Sequence, residues 1–377
     1  MHNPRSTSHS LETVEADLRA ATLPSKAPGK PEPRIISIGT AVPPRRYEQE
    51  ELARMFCVEN PRLRRLFRNS HIKYRHLLLP DPGPTGMPEE SVEELNAKHL
   101  GGCVEVGGRA VARALEGEGL SPDDIDYLVC VTTTGFLCPG VSAHLIKQLG
   151  FRDDVARMDV VGMGCNAAVN ALQPACTWAI AHPGRNVLVL CVEICSAAYV
   201  FNDTIESAVV NSLFGDAAAA VLLRAQPSGT EGAFPRLLDF ASLTLSDAIH
   251  TMRFELDHGR WSFFLDRDIP YVIGANCGRP VGALLARRGL KRRQVAHWVV
   301  HSGGKKVIDS VKMNLDLSDH DVRHTLFVLE NFGNISSCAC LFSLARLVEE
   351  GVVREGEYGV LMAMGPGAAI ETALLQW

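Results

Sequence analysis

The sequence has 377 residues, 46% of them hydrophobic, which is enough to bury a large core and too long for one simple domain. Its 43 acidic residues outnumber 38 Lys and Arg residues, so the formal net charge of −5 argues against nucleic acid as a partner. Apolar runs such as Val187 to Val192 and Ala217 to Leu223 are far too short to cross a bilayer, which argues against a membrane protein.

The N-terminal segment, residues 1–33, is polar and rich in Pro and Ser. It lacks the apolar stretch of a secretory signal, so we expect a flexible tail with a short helix near Ser10 to Ala21. The 11 cysteines are scattered through apolar segments, without CxxC pairs at metal-binding spacing. This pattern predicts buried free thiols in a reducing cytoplasm and no metal site.

The rest of the chain has the pattern of a duplicated unit. Four pairs of segments share their apolar pattern and occur in the same order: residues 119–129 with 289–299, 163–167 with 332–336, 186–191 with 358–363, and 215–223 with 367–375. Each set predicts a strand, a helix and two further strands, so we expect two α/β units around one core. Pro, Ser and Gly cluster between Ser228 and Pro235, which places the halves at 34–232 and 233–377.

The duplication places Cys165 and Asn334 at matching positions, each after a Gly and before a buried helix. A helix N-terminus carries a partial positive charge and unpaired N–H groups, so we expect a lowered pKa for the Cys165 thiol. His301 follows a predicted strand and precedes Ser302-Gly303-Gly304, a turn into another helix. Because strand ends and helix starts of both halves converge between the units, the three side chains are expected to meet.

Cys, His and Asn together form a coherent active site. Cys165 is expected to be the nucleophile that carries an acyl chain, and His301 to stabilise its thiolate as an ion pair. The His301 imidazole and the Asn334 amide are expected to donate hydrogen bonds to the oxygen of a thioester enolate. An inert buried cysteine, a core histidine and a helix-capping asparagine are the structural alternatives, but three such residues at related positions favour catalysis.

At these residues the chain resembles the chalcone-synthase-like, or type III polyketide synthase, family. The motifs that carry the resemblance are residues 161–165, 213–216, 301–304, 333–337 and 365–367, and the resemblance extends from about Arg34 to Trp377. It implies a thiolase-like α/β fold whose duplicated halves form a layered αβαβα core. It also implies that Cys165, His301 and Asn334 are the catalytic residues, and that the enzyme is a homodimer.

Further site residues follow from the resemblance. Phe214 and Phe263 match the two phenylalanines at the entrance of the family's active site, with ordinary core packing as the alternative. Cys138 stands where plant members project a methionine into the partner's pocket; otherwise it is a small residue in a loop turn. The family's glycine-rich loop corresponds to Gly365, Pro366 and Gly367, which we assign to substrate binding.

Coenzyme A requires cations for its phosphates, and residues 62–68 predict a helix that is basic on one face. In the family a basic helix of this region meets the phosphates, and Arg62 and Arg65 are nearest to that pattern. A solvated surface helix is the alternative. No GxGxxG sequence follows a strand and opens a helix, so no nicotinamide or flavin cofactor is expected, and CoA thioesters are the only small molecules implied.

Within the family, the chain resembles in particular the bacterial members that make (3,5-dihydroxyphenyl)acetyl-CoA, at residues 159–166, 208–216, 301–306 and 321–325. This likeness implies a malonyl-CoA starter, extension by malonyl-CoA, and ring closure of the tetraketide, with accessory dehydratase or hydratase enzymes assisting the later steps. The alternatives are another acyl-CoA starter, or a ketoacyl-ACP synthase III-like enzyme with the same catalytic residues. Phe214 and residues 365–367 argue against the second alternative.

Overall fold

The computed structural model describes residues 31–83, 86–227, 229–230, 232–257 and 260–377. The predicted flexible tail, residues 1–33, overlaps the described residues only at 31–33. The short helix predicted near Ser10 to Ala21 lies outside them. Within the described residues, no helix has the length and apolar character that a membrane span requires.

The first half of the described chain contains seven strands and seven α-helices. The strands are β1 (Glu32–Ala41), β2 (Arg46–Glu48), β3 (Tyr74–His76), β4 (Tyr127–Thr132), β5 (Ala156–Val161), β6 (Val187–Glu193) and β7 (Ala217–Gln226). The helices are α1 (Gln49–Met55), α2 (Pro61–Arg68), α3 (Val92–Glu116), α4 (Val141–Leu149), α5 (Ala167–Ala181), α6 (Cys195–Ala198) and α7 (Ile205–Asn211).

The second half of the described chain adds six strands and five α-helices. The strands are β8 (Arg236–Thr244), β9 (Met252–Asp257), β10 (Arg260–Leu265), β11 (Val295–Val300), β12 (Tyr358–Gly365) and β13 (Ala369–Gln376). The helices are α8 (Ile269–Asn276), α9 (Gly278–Ala286), α10 (Lys305–Leu315), α11 (Arg323–Phe332) and α12 (Ala339–Glu349).

Nine of the described strands form one sheet in the order β11-β12-β13-β8-β1-β7-β6-β4-β5. The order β4-β6-β7-β1 in one half repeats as β11-β12-β13-β8 in the other, with the same parallel and antiparallel pairings. The two halves join at β1 and β8 through a single residue pair, Arg34 and Arg236. This repetition confirms the predicted duplication, whereas the limits 34–232 and 233–377 stay a prediction.

Because the sheet halves join at one point only, they diverge and enclose two helices. Helix α5 contacts strands of both halves, and α12 lies beside it against β1, β7, β11 and β12. Small residues such as Ala168, Ala171 and Ala175 are fully buried, which lets α5 lie close to the strands on either side. Helices α3 and α4 cover the outer face of one half-sheet and α8 to α10 that of the other. The layers are therefore α, β, α, β, α, as the resemblance predicts.

Candidate active site

Cys165 lies at the turn that leads from β5 into the central helix α5. Gly164 precedes it with φ +79°, a conformation that residues with a Cβ atom rarely adopt. A Cβ atom on Gly164 would lie 2.1 Å from Cδ of Pro366, so the turn also packs too tightly for a side chain there. The Cys165 side chain is buried, with 6% of its surface exposed. The glycine therefore places the sulfur at the start of a buried helix, as predicted.

His301 follows the last residue of β11, and its backbone N–H donates to the carbonyl of Met362 at 2.8 Å. The imidazole is buried, and its Nδ1 makes no hydrogen bond to the described residues. Gly303 leaves room for the ring, because a Cβ atom there would lie 3.3 Å from Nε2. The position of the ring is therefore set by the strand end and by the Gly303 turn.

Asn334 belongs to the C-terminal half, and backbone hydrogen bonds to the N-terminal half hold it in place. Its backbone N–H donates to the carbonyl of Leu213 at 2.8 Å, and its carbonyl accepts from the N–H of Gly215 at 3.0 Å. The side-chain Oδ1 accepts from the backbone N–H of Ser336 at 2.9 Å. The Asn334 side chain also lowers the pKa of Cys165, which is the effect of a donor to the sulfur and therefore of the amide nitrogen.

One cavity of about 900 Å³ contains the three predicted catalytic residues, and Cys165, His301 and Asn334 all lie in its wall. They come from the ends of elements in both halves, as the duplication predicts. The structure brings the residues together, and their catalytic roles stay a prediction.

Burial determines the resting charges of the thiol and the imidazole. It raises the pKa of the Cys165 thiol to about 12, although hydrogen bonds from Ser336 and Asn334 oppose this effect. It also lowers the pKa of His301 to about 4. The predicted lowering of the Cys165 pKa by the helix N-terminus is therefore wrong for the chain without substrate. Both pKa shifts favour the neutral thiol and the neutral imidazole, which is the opposite of the expected resting ion pair.

A buried carboxyl group behind Cys165 was not found from the sequence. Ser336 lowers the pKa of Cys165, and its hydroxyl donates to Oε1 of Glu193 at 3.2 Å. The same carboxyl group accepts from Ser337 at 2.5 Å and from the backbone N–H of Thr133 at 2.9 Å. Burial raises the pKa of Glu193, and these hydrogen bonds oppose the effect. Glu193 is separated from the serines by more than 140 positions, so no local pattern reveals the cluster.

Aromatic rings form one wall of the cavity. Phe214 and Phe263 both line it, and their rings meet edge to face with centroids 5.7 Å apart. Tyr199 packs against Phe214 with a centroid distance of 4.7 Å, and Phe254 lies 5.0 Å from Phe263. The sequence analysis identified Phe214 and Phe263 but not Tyr199 and Phe254, because these two residues belong to none of the motifs.

Charged residues of both signs line the cavity: Glu206, Asp266 and Asp309 lie in its wall with four basic residues, and Asp309 pairs with Lys305. Arg65 lines it, together with Arg267, Lys305 and Lys306, which were not identified from the sequence. Arg62 is exposed on the same helix, α2, but is not among the residues that line the cavity.

Other arginines of α2 are already engaged. Arg64 and Arg68 both pair with Glu50. Arg65 is thus the arginine of this helix that the structure places at the opening.

The remaining predicted residues lie outside the cavity wall. Gly365, Pro366 and Gly367 connect β12 to β13 and pack behind the nucleophile, where a Cβ atom on Gly365 would overlap Oδ1 of Asn166. Cys138 is exposed and lines none of the described cavities of its own chain. Substrate binding by these residues stays a prediction.

Comparison with solved structures defines the class of fold. PKS-I of the brown alga Ectocarpus siliculosus superposes with a TM-score of 0.86 at 26% identity, covering 94% of this chain and all of that protein. The predicted thiolase-like α/β fold of a condensing enzyme is confirmed by this match and by the layers described above.

Sequence comparisons give the family. The N-terminal domain of chalcone and stilbene synthases matches residues 23–227, and their C-terminal domain matches residues 244–377. The chain belongs to this family of type III polyketide synthases, which are condensing acyltransferases.

Two bacterial relatives match nearly the whole chain. The 3,5-dihydroxyphenylacetyl-CoA synthase of Streptomyces toyocaensis is 50% identical over 373 residues, which cover 97% of this chain and 95% of the relative. The enzyme of the same name from Amycolatopsis balhimycina is 49% identical and covers 91% and 93%.

Proposed function

We propose that the chain condenses malonyl-CoA units and releases (3,5-dihydroxyphenyl)acetyl-CoA. The observation that carries this proposal is the 50% identity, over nearly the full length of both chains, to a 3,5-dihydroxyphenylacetyl-CoA synthase. The cavity that holds Cys165, His301 and Asn334 supplies the groups that the chemistry requires.

The reaction begins with transfer of an acyl group to Cys165. The thiol adds to the thioester carbonyl, its proton passes to the neutral imidazole of His301, and coenzyme A leaves as a thiol after taking up that proton. Because burial lowers its pKa, the imidazole is unprotonated at neutral pH and has a free ring nitrogen for the proton. It is a weak base, so it readily passes that proton on to the leaving thiolate of coenzyme A.

A second malonyl-CoA then loses carbon dioxide, and the electron pair of the broken bond forms a thioester enolate. The His301 imidazole and the Asn334 amide donate hydrogen bonds to the enolate oxygen. No strong base is required, because decarboxylation itself generates the carbanion. The carbanion attacks the acyl group on Cys165, the thiolate leaves, and the chain has grown by two carbons.

Three extensions of a starter that also derives from malonyl-CoA give an eight-carbon tetraketide. A bond between its terminal methyl carbon and the carbonyl β to the thioester closes the ring, and loss of one water gives the dihydroxyphenylacetyl group. The buried aromatic wall excludes water, which protects the reactive thioester until the ring closes. These steps require only CoA thioesters, so we propose no resident cofactor, and accessory dehydratase or hydratase enzymes accelerate the later steps.

Coenzyme A is proposed to bind through the basic residues that line the cavity. Arg65, Arg267 and Lys306 are exposed there, and cations of this kind pair with phosphate oxygens. The pantetheine arm then passes the Phe214 and Phe263 rings to reach Cys165.

We propose that the enzyme works as a homodimer in the cytoplasm. Strand β5 is an edge strand of the sheet, and the adjacent loop exposes Phe136, with 68% of its surface accessible. This loop also carries Cys138, and it lies beside β5, since Gly140 packs against Asp159. An unpaired strand edge next to an exposed ring suits pairing with a second copy, which would bring Cys138 near the partner's cavity. The 11 free cysteines suit a reducing compartment.

The test is incubation of the purified chain with labelled malonyl-CoA alone, and then with acetyl-CoA, hexanoyl-CoA or coumaroyl-CoA added. We expect (3,5-dihydroxyphenyl)acetyl-CoA or its free acid from malonyl-CoA alone. The Cys165→Ala variant serves as the control, since it is expected to release carbon dioxide but to form no acyl-enzyme and no polyketide. Product that forms only with another starter would overturn the proposed substrate while leaving the family intact.

A further inference from the structure

A buried arginine braces the segment that holds Asn334, although it lies outside the residues proposed to contact substrate. Arg75 is on β3, with 1% of its side chain exposed. Its Nη1 donates to the carbonyl of Phe214 at 2.7 Å, and its Nε donates to Oε1 of Gln49 at 3.0 Å. Gln49 in turn donates from Nε2 to the carbonyl of Ser212 at 2.7 Å. The pair therefore holds two carbonyls of one short segment, residues 212–215.

The same segment positions Asn334. The carbonyl of Leu213, between the two braced carbonyls, accepts from the backbone N–H of Asn334. Phe214 and Asn334 form an isolated parallel bridge, and the N–H of Gly215 donates to the Asn334 carbonyl. The carbonyls of residues 212, 213 and 214 are thus each taken by a different partner, which leaves the segment little freedom to move.

Arg75 also touches the other side of the bridge. A Cβ atom on Gly333 would lie 3.1 Å from Cγ and Cδ of Arg75 and 2.5 Å from the carbonyl oxygen of Leu213. The arginine stem thus packs against the residue immediately before Asn334, while its guanidinium holds the facing segment.

The guanidinium makes no direct ion pair with the described residues. Asp216 is the acid that acts on the guanidinium electrostatically. Its carboxyl oxygens instead accept hydrogen bonds from the backbone N–H groups of Ser196 and Leu78 and from the Ser196 hydroxyl. Burying a cation without a paired carboxylate is unfavourable, and an apolar side chain would fill the same space at lower cost. What the arginine supplies is two directed donors in a rigid fork.

We propose that Arg75, supported by Gln49, is a positioning residue that acts through Asn334, holding its amide where the enolate oxygen forms. This proposal rests on the proposed decarboxylation of malonyl-CoA but not on the identity of the final product. Displacement of a catalytic group by about 1 Å lowers rates by roughly 100-fold, so a brace of this kind affects turnover more than substrate binding.

The experiment is a double-mutant cycle with Arg75→Lys and Asn334→Ala, measured as carbon dioxide release from malonyl-CoA. Lysine keeps the charge but cannot donate to both Phe214 and Gln49 in the arginine geometry. We expect Arg75→Lys alone to lower kcat by roughly 10- to 100-fold, with KM nearly unchanged. In the Asn334→Ala background the same change is expected to alter kcat by no more than about twofold.

Arg34→Lys is the matched control. Arg34 is also a buried arginine that donates to backbone carbonyls, but it lies on β1 and its acceptors, Thr230 and Phe234, are in the connection between β7 and β8. We expect this variant to lower the melting temperature and to leave kcat unchanged.

Equal losses from Arg75→Lys in both backgrounds would overturn the positioning role and assign Arg75 to stability alone. If Arg75→Lys does not fold, Gln49→Glu replaces it in the cycle, because it keeps the acceptor for Arg75 and removes the donor to Ser212. A loss of kcat only in the chain that retains Asn334 would then support the positioning role, and equal losses in both backgrounds would overturn it. A wild-type chain that releases no carbon dioxide would instead overturn the proposed function.

Discussion

At the scale of single residues, burial in the cavity favours the neutral forms of the two reactive groups, Cys165 and His301. Cys165 and His301 are both removed from water, so each avoids its charged form. A thioester that enters the cavity gives the thiol an electrophile, and the neutral imidazole can then take the proton. Ser336 and Glu193 lie behind the sulfur and fix its surroundings without adding a positive charge.

The pH dependence of alkylation tests this charge state. With a thiol pKa of about 12, the thiolate fraction rises with pH throughout the neutral range. We therefore expect the rate of Cys165 alkylation by iodoacetamide to increase about tenfold per pH unit from pH 6 to pH 9. A preformed ion pair would instead give a plateau over this range.

The exposed thiols Cys57 and Cys138 are replaced by serine for this measurement, so that peptide mass spectrometry follows Cys165 alone. A plateau between pH 6 and pH 9 would show that the thiolate exists before substrate binds.

The Asn334 amide is expected to act on the enolate and not on substrate binding. Because Ser336 fixes its oxygen, the amide nitrogen faces the cavity. Asn334→Ala is expected to lower decarboxylation and chain extension together by roughly 100- to 1,000-fold, the usual effect of removing one oxyanion donor. Release of carbon dioxide and of polyketide are measured in parallel, and near-normal decarboxylation would remove Asn334 from the mechanism.

At the scale of secondary-structure elements, the two halves present Cys165 and Asn334, two of the predicted catalytic residues, through similar turns. Gly164 has φ +79° and Gly333 has φ +75°, and each is followed directly by a predicted catalytic residue and then by a buried central helix. Both turns pack so closely against the other half that a Cβ atom would clash. Each glycine therefore affects both the position of the residue that follows it and the packing between the two halves.

Gly164→Ala is expected to damage both stability and activity. The left-handed backbone and the overlap with Pro366 together are expected to lower the free energy of unfolding by about 2–5 kcal/mol. Urea denaturation measures this change. Gly278→Ala is the control, because a Cβ atom there meets nothing within 4 Å and the position is helical, and it should leave both properties nearly unchanged. A fully stable and active Gly164→Ala variant would contradict this account of the turn.

At the scale of the whole molecule, the sequence predicted the parts that repeat or lie in motifs. The duplicated segments predicted the succession of strand, helix, strand and strand in each half, but not the order of the strands in the sheet. The motifs pointed to Cys165, His301 and Asn334. The brace by Arg75 and the Glu193 cluster could not be predicted, because their partners are far apart in the chain and meet only after folding. The pKa of Cys165 was mispredicted for a similar reason, since a local helix-end argument contains no information about burial.

The proposed dimer is tested most directly at the exposed loop beside β5. Phe136→Lys places a charge on an exposed ring position, so the isolated fold should tolerate it, whereas a buried interface should not. By light scattering we expect the wild type at twice the chain mass of 41.0 kDa and the variant at that mass. Met313→Lys is the control, because Met313 on α10 has 82% of its surface exposed and lies outside the proposed interface. A wild type that elutes as a monomer, or a Phe136→Lys variant that stays dimeric, would rule out this loop as the contact that brings Cys138 to the partner's cavity.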